Sequence, residues 1–244
     1  MSFSFDHLLV NTAWQALTTD HAELAVSSLF ARRYPADVVP ISALEGLRAE
    51  ALAELRELML PDEALYVAWS EVEGEQFPDC PGIEAVADLN ALQMIYPDTE
   101  DALESTAQTT APGIELLTSV NGAEMVALTD VAFPGFFRPR TYLMGNYWGI
   151  RSDGELIAMA GERLALPGLR EISAVCTHPQ HTGRGHAARL IRHVLAEHAA
   201  AGLRSFLHVT DTNHRAIALY ERLGFLKVGA TRFTRIRRTP LSGE

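Results

Sequence analysis

The chain has 244 residues, of which 48% are hydrophobic, and a formal net charge of −11. This length provides a real core for one large or two modest domains. Its two cysteines, Cys80 and Cys176, lie far apart, which excludes a disulfide framework and suits a reducing compartment such as the cytoplasm. An apolar run of about eighteen residues and a basic N-terminal region are both absent, so the sequence predicts neither a transmembrane helix nor a signal peptide.

Charge is distributed unevenly along the chain. From Arg170 onward there are twelve Lys/Arg and five Asp/Glu, whereas the rest of the chain is strongly acidic. A basic segment is typical of a solvated surface, of a site for phosphate groups or of a nucleic-acid interface. Because these basic residues are scattered and no aromatic side chains alternate with them, we expect no nucleic-acid partner. Because no long apolar run occurs, we expect no membrane partner either.

The N-terminal part predicts a helical or mixed α+β domain. Residues 14–30 and 44–58 carry apolar side chains at helical spacing, and residues 64–70 and 92–96 form short apolar runs typical of strands. Residues 97–113 are polar, rich in threonine and end in Pro-Gly, which indicates a linker. We therefore expect an N-terminal domain at 1–112 and a catalytic domain at 113–244.

The C-terminal part predicts alternating helices and strands. In chain order the pattern gives a helix at 121–131, a hairpin of strands 141–150 and 155–164, a strand at 171–177, a helix from 186 to Gly202, a strand at 203–210, a helix at 213–223 and a last strand from Phe225.

Residues 171–190 predict a strand, a glycine loop and a helix. Gly183 and Gly185 leave room for the backbone to approach a ligand, and the first N–H groups of the helix have no partner within it. These features predict an anion site, suited to a pyrophosphate. Gly183, Gly185 and Ala188 also fit G-x-G-x-x-A, so a dinucleotide oxidoreductase is an alternative, although His178 to Thr182 separate the strand from the first glycine.

Two motifs then identify a family resemblance. Gln180, Gly183 and Gly185 form Q-x-x-G-x-G, and residues 213–225 form N-x-x-A-x-x-L-Y-x-x-x-G-F. In this order and spacing they resemble the signatures of the GNAT N-acetyltransferases over residues 125–239. The segments AMAGERL and EISAVCTHP are similar to the FR47-like and glycine N-acyltransferase-like branch.

The resemblance implies the GNAT fold, an α/β (α+β) architecture with a mixed central sheet flanked by helices. The sheet is expected to splay where the strands beginning at Glu171 and Leu203 separate, with the cofactor in that gap. Relatives of the glycine N-acyltransferase-like branch have two such halves, so residues 1–112 are expected to be a degenerate copy of the fold. A homodimer is common in the family.

The co-substrate implied by the resemblance is acetyl-CoA. The residues expected to bind it are Val175, Cys176 and Thr177 along the pantetheine, Gly183, Arg184, Gly185, His186, Ala187 and Ala188 at the pyrophosphate, and Asn213 as a helix cap or a group near the pantetheine. The family often has arginine where His181 or Thr182 stands, so one positive charge is missing there. The histidines of this region share no face with a carboxylate, and we expect no metal.

Two residues carry the implied chemistry. Tyr220 matches the family tyrosine beside the sulfur and is expected to be the acid for the departing thiolate. Glu171 matches the glutamate that removes the proton of the amine, and alternation puts it on one face with Ser173, Val175 and Thr177. Glu162 is the competing base, and an ion pair of Glu171 with Arg163 or Arg170 is the alternative.

The activity implied is transfer of acetyl from acetyl-CoA to a primary amine by direct attack in a ternary complex. The acceptor classes left open are a small amine, an amino acid and a peptide N-terminus. The alternative from another class is a non-catalytic module that binds or senses acyl-CoA.

Overall fold

The computed structural model describes residues 9–70, 76–97 and 113–241. The chain divides into two compact units: residues 1–36, 40–92 and 230–244 form the first, and residues 37–39 and 93–229 form the second. Among the described residues, no helix combines the length and the apolar character needed to cross a membrane.

The first unit is a small α+β structure. Its described elements are α1 (Thr12–Thr18), a 3₁₀ turn (Ala22–Leu24), β1 (Val26–Ser27), β2 (Ala31–Arg33), β3 (Ile41–Leu44), α2 (Ala49–Leu58), β4 (Ala64–Trp69), most of β5 (Ile83–Ile95) and most of β11 (Leu226–Arg238). Its strands follow the order β1-β2-β3-β4-β11-β5, with β3 and β4 parallel and β4 and β11 antiparallel. The core packs Leu52 and Leu55 of α2 against Leu65 and Val67 of β4.

The helix predicted over residues 14–30 is wrong beyond its first turns. Helix α1 ends at Thr18, where the Thr18 and Thr19 hydroxyls donate hydrogen bonds to carbonyls one turn back and compete with the helix ladder. The predicted helix over 44–58 begins only at Ala49, because Leu44 pairs with Ala31 in the sheet. The strand predicted at 64–70 is confirmed by β4, and the run at 92–96 is the end of the longer β5.

The second unit contains the predicted alternation of helices and strands. Its described elements are the end of β5, β6 (Ile114–Leu117), a 3₁₀ turn (Ser119–Asn121), α3 (Gly122–Ala132), a 3₁₀ turn (Thr141–Met144), β7 (Tyr147–Ser152), β8 (Glu155–Leu166), β9 (Leu169–Thr177), a 3₁₀ turn (Pro179–His181), α4 (His186–Ala200), β10 (Arg204–Thr210), α5 (His214–Arg222) and the start of β11. The strand predicted over 141–150 begins only at Tyr147, since 141–144 form the 3₁₀ turn.

The sheet of the second unit is mixed. Its strands follow the order β5-β10-β9-β8-β7-β6, with β6 to β9 antiparallel and β9 and β10 parallel. The parallel pair is short: its register runs from Arg204 opposite Leu169 to Phe206 opposite Glu171 and goes no further. Beyond Glu171 the two strands therefore separate, as the predicted splay requires.

Strand β9 contains a bulge that reverses its alternation. Ser173 lies opposite Gly161 and Cys176 lies opposite Met159, so Ala174 and Val175 together face one residue of β8, and Ala174 has a φ of 52°. Ser173 and Cys176 thus share a face with Glu171, whereas Val175 and Thr177 lie on the other. The prediction that Glu171 shares a face with Val175 and Thr177 is wrong, because the bulge adds one residue between them.

The compact units do not follow the linear order of the chain. Residues 230–241, near the C-terminal end, belong to the first unit, whereas residues 93–97 belong to the second. The predicted linker at 97–113 falls almost entirely outside the described residues. The division into functional domains at 1–112 and 113–244 stays a prediction.

The bulge gives a stability prediction. Substituting Ala174→Gly should raise the free energy of unfolding by about 0.5–1 kcal/mol, because the left-handed conformation costs alanine about 1–2 kcal/mol, partly offset by the lost methyl contact. Ser173→Gly, one residue earlier, is the control and should lower it by about 0.5–1 kcal/mol, because its φ is not positive. Urea denaturation gives the free energy of unfolding of both variants. A change of the same sign in both would contradict the positive φ of Ala174 in the bulge.

Candidate active site

The glycine loop gives α4 an open N-terminal end. Gly183 and Gly185 have φ values of 80° and 79°, and Gly185 is the N-cap residue. A Cβ atom added at either position would meet nothing within 4 Å, so the space in front of the helix is open. Within the described part of the chain, the N–H groups of His186, Ala187 and Ala188 donate to no acceptor. These unpaired donors form the arrangement that binds anions at helix N-termini.

The charge around this end favours an anion. The first turn of α4 has no acidic residue, and Arg184 lies exposed in the loop. His186 adds two ring nitrogens that are buried and make no hydrogen bond to a described residue. Burial and the nearby Arg189 and Arg184 lower the pKa of His186, which favours its neutral form.

An open backbone edge leads to this end of the helix. Cys176 and Thr177 pair with β8 on one side, and β10 has already separated from β9 on the other. Peptide groups of Val175 to Thr177 on that side are thus available to an extended ligand. Cys176 itself is buried, and burial raises the pKa of its thiol to about 12, which makes it a packing residue and not a nucleophile.

Asn213 caps helix α5. Its side-chain oxygen accepts a hydrogen bond from the Ala216 N–H at 3.1 Å, and the residue is exposed. The helix it starts carries Tyr220, whose position therefore depends on this cap.

Glu171 lies at the point where β9 and β10 separate. Its side chain is completely buried and forms an ion pair with Arg163, whose Nε donates at 2.8 Å. His208 Nδ1 lies 2.7 Å from Oε1, and the Leu164 N–H donates to Oε2 at 3.2 Å. A bulge in β8 makes the last contact possible, because Arg163 and Leu164 both lie opposite Glu171. Of the two partners considered from sequence, the structure selects Arg163 over Arg170.

This network keeps Glu171 ionised at neutral pH. Burial raises its pKa, but the charges and hydrogen bonds of Arg163 and His208 outweigh that effect and lower the pKa to about 2. Both carboxylate oxygens already accept hydrogen bonds, so the carboxylate is a poor acceptor for a further proton.

Glu162, the competing base, belongs to a separate network on the opposite face of the sheet. It lies opposite Ile172, the neighbour of Glu171, and its Oε1 is 3.1 Å from His198 Nε2 on α4. His198 Nδ1 is 2.7 Å from Ser205 Oγ, and all three residues are buried. Burial raises the pKa of Glu162, but the hydrogen bonds from His198 and the Asn146 N–H outweigh it and lower the pKa.

Tyr220 is buried on helix α5. Its ring packs edge-on against Phe225 at 5.7 Å between centroids. Burial raises the pKa of Tyr220 to about 12; Arg163 opposes this effect and Glu171 adds to it. Tyr220, Arg163 and Glu171 thus interact electrostatically.

Sequence reasoning missed His208 and Gln93. His208 lies on β10, and its Nε2 is 3.2 Å from Nε2 of Gln93, at the end of β5. The available signal was the alternation of Phe206, His208 and Thr210 along one face of a strand next to Glu171. Within the described ranges, no group of three or more histidine, cysteine or carboxylate side chains could hold a metal ion.

The Glu171 network predicts a pH-dependent contribution to stability. A folded-state pKa lowered from 4.5 to about 2 stabilises the fold fully above pH 4.5, and this stabilisation is lost as the pH falls towards 2. The shift corresponds to about 3 kcal/mol. In urea denaturation, the stability difference between wild type and Glu171→Gln should therefore shrink by up to about 3 kcal/mol from pH 5.5 to 2.5.

The matched control is Glu155→Gln. Glu155 is an exposed carboxylate of the β7–β8 turn and makes no ion pair within the described ranges. Its stability difference from wild type should stay nearly constant over the same pH range. A Glu171→Gln difference that stays equally constant would contradict the buried ion pair.

Part of this chain matches a known protein family and a curated relative. Residues 147–234 match the family model of FR47-like proteins. A curated relative, the N-alpha-acetyltransferase RimI of Mycobacterium tuberculosis, is 38% identical over 90 residues, which are 36% of this chain and about half (56%) of the relative.

Two solved structures extend the comparison to almost the whole chain. A protein of Novosphingobium aromaticivorans described as an acetyltransferase of the GNAT family is 34% identical, with a TM-score of 0.85 over 96% of this chain and 100% of the other. A GCN5-related N-acetyltransferase of Kribbella flavida is 16% identical, with a TM-score of 0.55 over 93% and 95% of the two chains, and shows the shared fold. The predicted FR47-like resemblance and GNAT fold are thus confirmed, and the chain belongs to the GNAT family of N-acetyltransferases.

Proposed function

We propose that this N-acetyltransferase transfers an acetyl group from acetyl-CoA to a primary amine by direct attack within a ternary complex. One observation carries the proposal: β9 and β10 separate after Glu171, and the open edge of β9 runs to the unpaired N-terminal end of α4. A cofactor with two amides followed by a pyrophosphate has groups to match both features.

The cofactor would be held mainly by the backbone. Val175, Cys176 and Thr177 would pair with the pantetheine amides. The N–H groups from Gly183 to Ala188 would bind the pyrophosphate, with Arg184 adding positive charge. Asn213 would act through its cap on α5.

Tyr220 would stabilise the departing sulfur. At neutral pH its phenol keeps its proton, because burial raises the pKa to about 12. A free thiol has a pKa of about 8.5, so the phenol donates a hydrogen bond to the developing thiolate more readily than a whole proton. This is the type of donor that lowers the barrier for expulsion of an anion.

The acceptor would be an α-amino group. The 90-residue likeness to an N-alpha-acetyltransferase favours the amino group of an amino acid or of a peptide N-terminus over other amines. The rival function is a non-catalytic acyl-CoA-binding module, which would use the same backbone groups and would need neither Tyr220 nor a base. The domain division at 1–112 and 113–244 and a homodimer stay predictions.

Tyr220→Phe separates these two functions. We expect its kcat for thiol release with the best acceptor of an amine panel to fall about 100-fold, because one hydrogen-bond donor to the departing sulfur is removed, while its Kd for acetyl-CoA stays the same. Tyr96→Phe is the control, because Tyr96 packs on the same Phe225 at 5.3 Å. An unchanged rate in Tyr220→Phe would remove its role, and acetyl-CoA binding without thiol release from any amine would favour the binding module.

Gly185→Val tests the cofactor site. A β-branched residue at a φ of 79° must distort the start of α4, so we expect the Kd for acetyl-CoA to rise at least about tenfold. Gly154→Val is a matched control in the β7–β8 turn, with a φ of 87° and equally open space. Isothermal titration calorimetry measures the Kd for acetyl-CoA of both variants. Equal values would mean that the pyrophosphate does not bind at the N-terminal end of α4.

A further inference from the structure

We infer that His208, held by Glu171, is the general base that takes the proton of the acceptor amine. This inference rests on the proposed acetyl transfer and changes the part played by Glu171, which becomes a positioning residue.

The hydrogen bonds of His208 fix its tautomer. Glu171 is ionised and can only accept, so the 2.7 Å contact requires a proton on Nδ1 of His208, whether the imidazole is neutral or charged. In the neutral form of His208, Nε2 is then the unprotonated, basic nitrogen. The amide nitrogen of Gln93, at 3.2 Å, donates to it, in agreement with this assignment.

The position of His208 suits a base. Parallel pairing of β9 with β10 ends at Phe206, and His208 is the next residue of β10 on the same face. It therefore lies where the gap between the strands begins. Among the described residues, the charged and titratable groups around it include Glu171 from β9, Arg163 from β8 through its ion pair with Glu171, and Tyr220 from α5, which interacts electrostatically with both.

Glu171 is unsuited to take this proton itself. Its two oxygens already accept hydrogen bonds from Arg163, His208 and the Leu164 N–H, and the charge of Arg163 beside them favours the ionised carboxylate. A carboxylate in this position can orient an imidazole and stabilise its cationic form, as carboxylates do in other catalytic pairs.

Gln93 can accompany both protonation states of His208. With neutral His208 its amide N–H donates to Nε2, and the acceptor amine has to take the place of this donor; after proton transfer a rotation of the amide would present its oxygen to the new Nε2–H. The side chain of His208 is 2% exposed, so such a built-in partner replaces solvent.

The protons of the reaction then balance. The acceptor ammonium gives one proton to Nε2 of His208, and its nitrogen forms the bond to the thioester carbon. As the carbon–sulfur bond breaks, the second proton of the nitrogen passes to the sulfur, which Tyr220 hydrogen-bonds. His208 releases its proton to solvent, so that an ammonium ion and acetyl-CoA give the amide, the free thiol of coenzyme A and one proton.

The second buried Glu–His pair provides the matched control. His198 and Glu162 are also buried and hydrogen-bonded, but they lie on the face covered by α4. The test compares pH–rate profiles of kcat/KM for His208→Gln and His198→Gln, with acetyl-CoA and the best acceptor. We expect His208→Gln to lose at least about 100-fold in kcat/KM and to flatten the acidic limb. Its Kd for acetyl-CoA should stay the same, and His198→Gln should keep the wild-type profile.

Two further variants complete the design. If Glu171 acts through His208, Glu171→Gln combined with His208→Gln should lose no more activity than His208→Gln alone. Gln93→Met leaves both members of the pair in place and should still shift the acidic limb. If His208→Gln does not fold, the pH–rate profile of Gln93→Met tests the inference instead.

Each outcome has a distinct meaning. A folded His208→Gln variant with wild-type rate and profile overturns the inference, as does an unchanged profile in Gln93→Met. If the acidic limb of the pH–rate profile flattened in His198→Gln and not in His208→Gln, the inference would be overturned and Glu162 would be the base. A wild-type protein that binds acetyl-CoA but releases no thiol with any amine overturns the proposed function instead.

Discussion

The short parallel pairing of β9 with β10 is the constraint on which the site depends. The register ends at Glu171 and Phe206, after which both strands leave peptide groups without a partner strand. Buried backbone groups in this state are costly, so a sheet maintains such a gap only where water or a ligand occupies it. The gap is thus a specific feature of the fold and not a failure of pairing. An extended molecule with its own amides is a suitable occupant.

The buried carboxylate of Glu171 holds the point where the gap begins. Its partners come from both neighbouring strands, Arg163 and Leu164 from β8 and His208 from β10. An ionised group in the interior must be compensated, and removing one partner of such a pair typically costs about 3–5 kcal/mol. The buried carboxylate of Glu171 therefore links β8, β9 and β10, and β9 separates from β10 only beyond this residue.

Much of this arrangement could be predicted from the sequence. The glycines at 183 and 185, the Asn213 cap and Tyr220 belong to local patterns, since a loop, a cap and a helix face are each determined within a few residues. The two bulges are not local in this sense: nothing in EISAVCT indicates that Ala174 adopts a positive φ, and simple alternation therefore assigned Val175 and Thr177 to the wrong face. His208 was missed for a related reason, because a single histidine in an apolar strand acquires its role only from the carboxylate on the adjacent strand.

The sheet uses the same chemical pair for two different purposes. On the face covered by α4, the Glu162–His198 pair and Ser205 tie the C-terminal turns of that helix to β8 and β10. On the opposite face, the Glu171–His208 pair stands at the start of the gap. The first pair anchors the end of a helix to the sheet, and the second stands next to the position that the thioester would take. The bulge in β8 contributes to this division, since it supplies the Leu164 N–H that Glu171 needs.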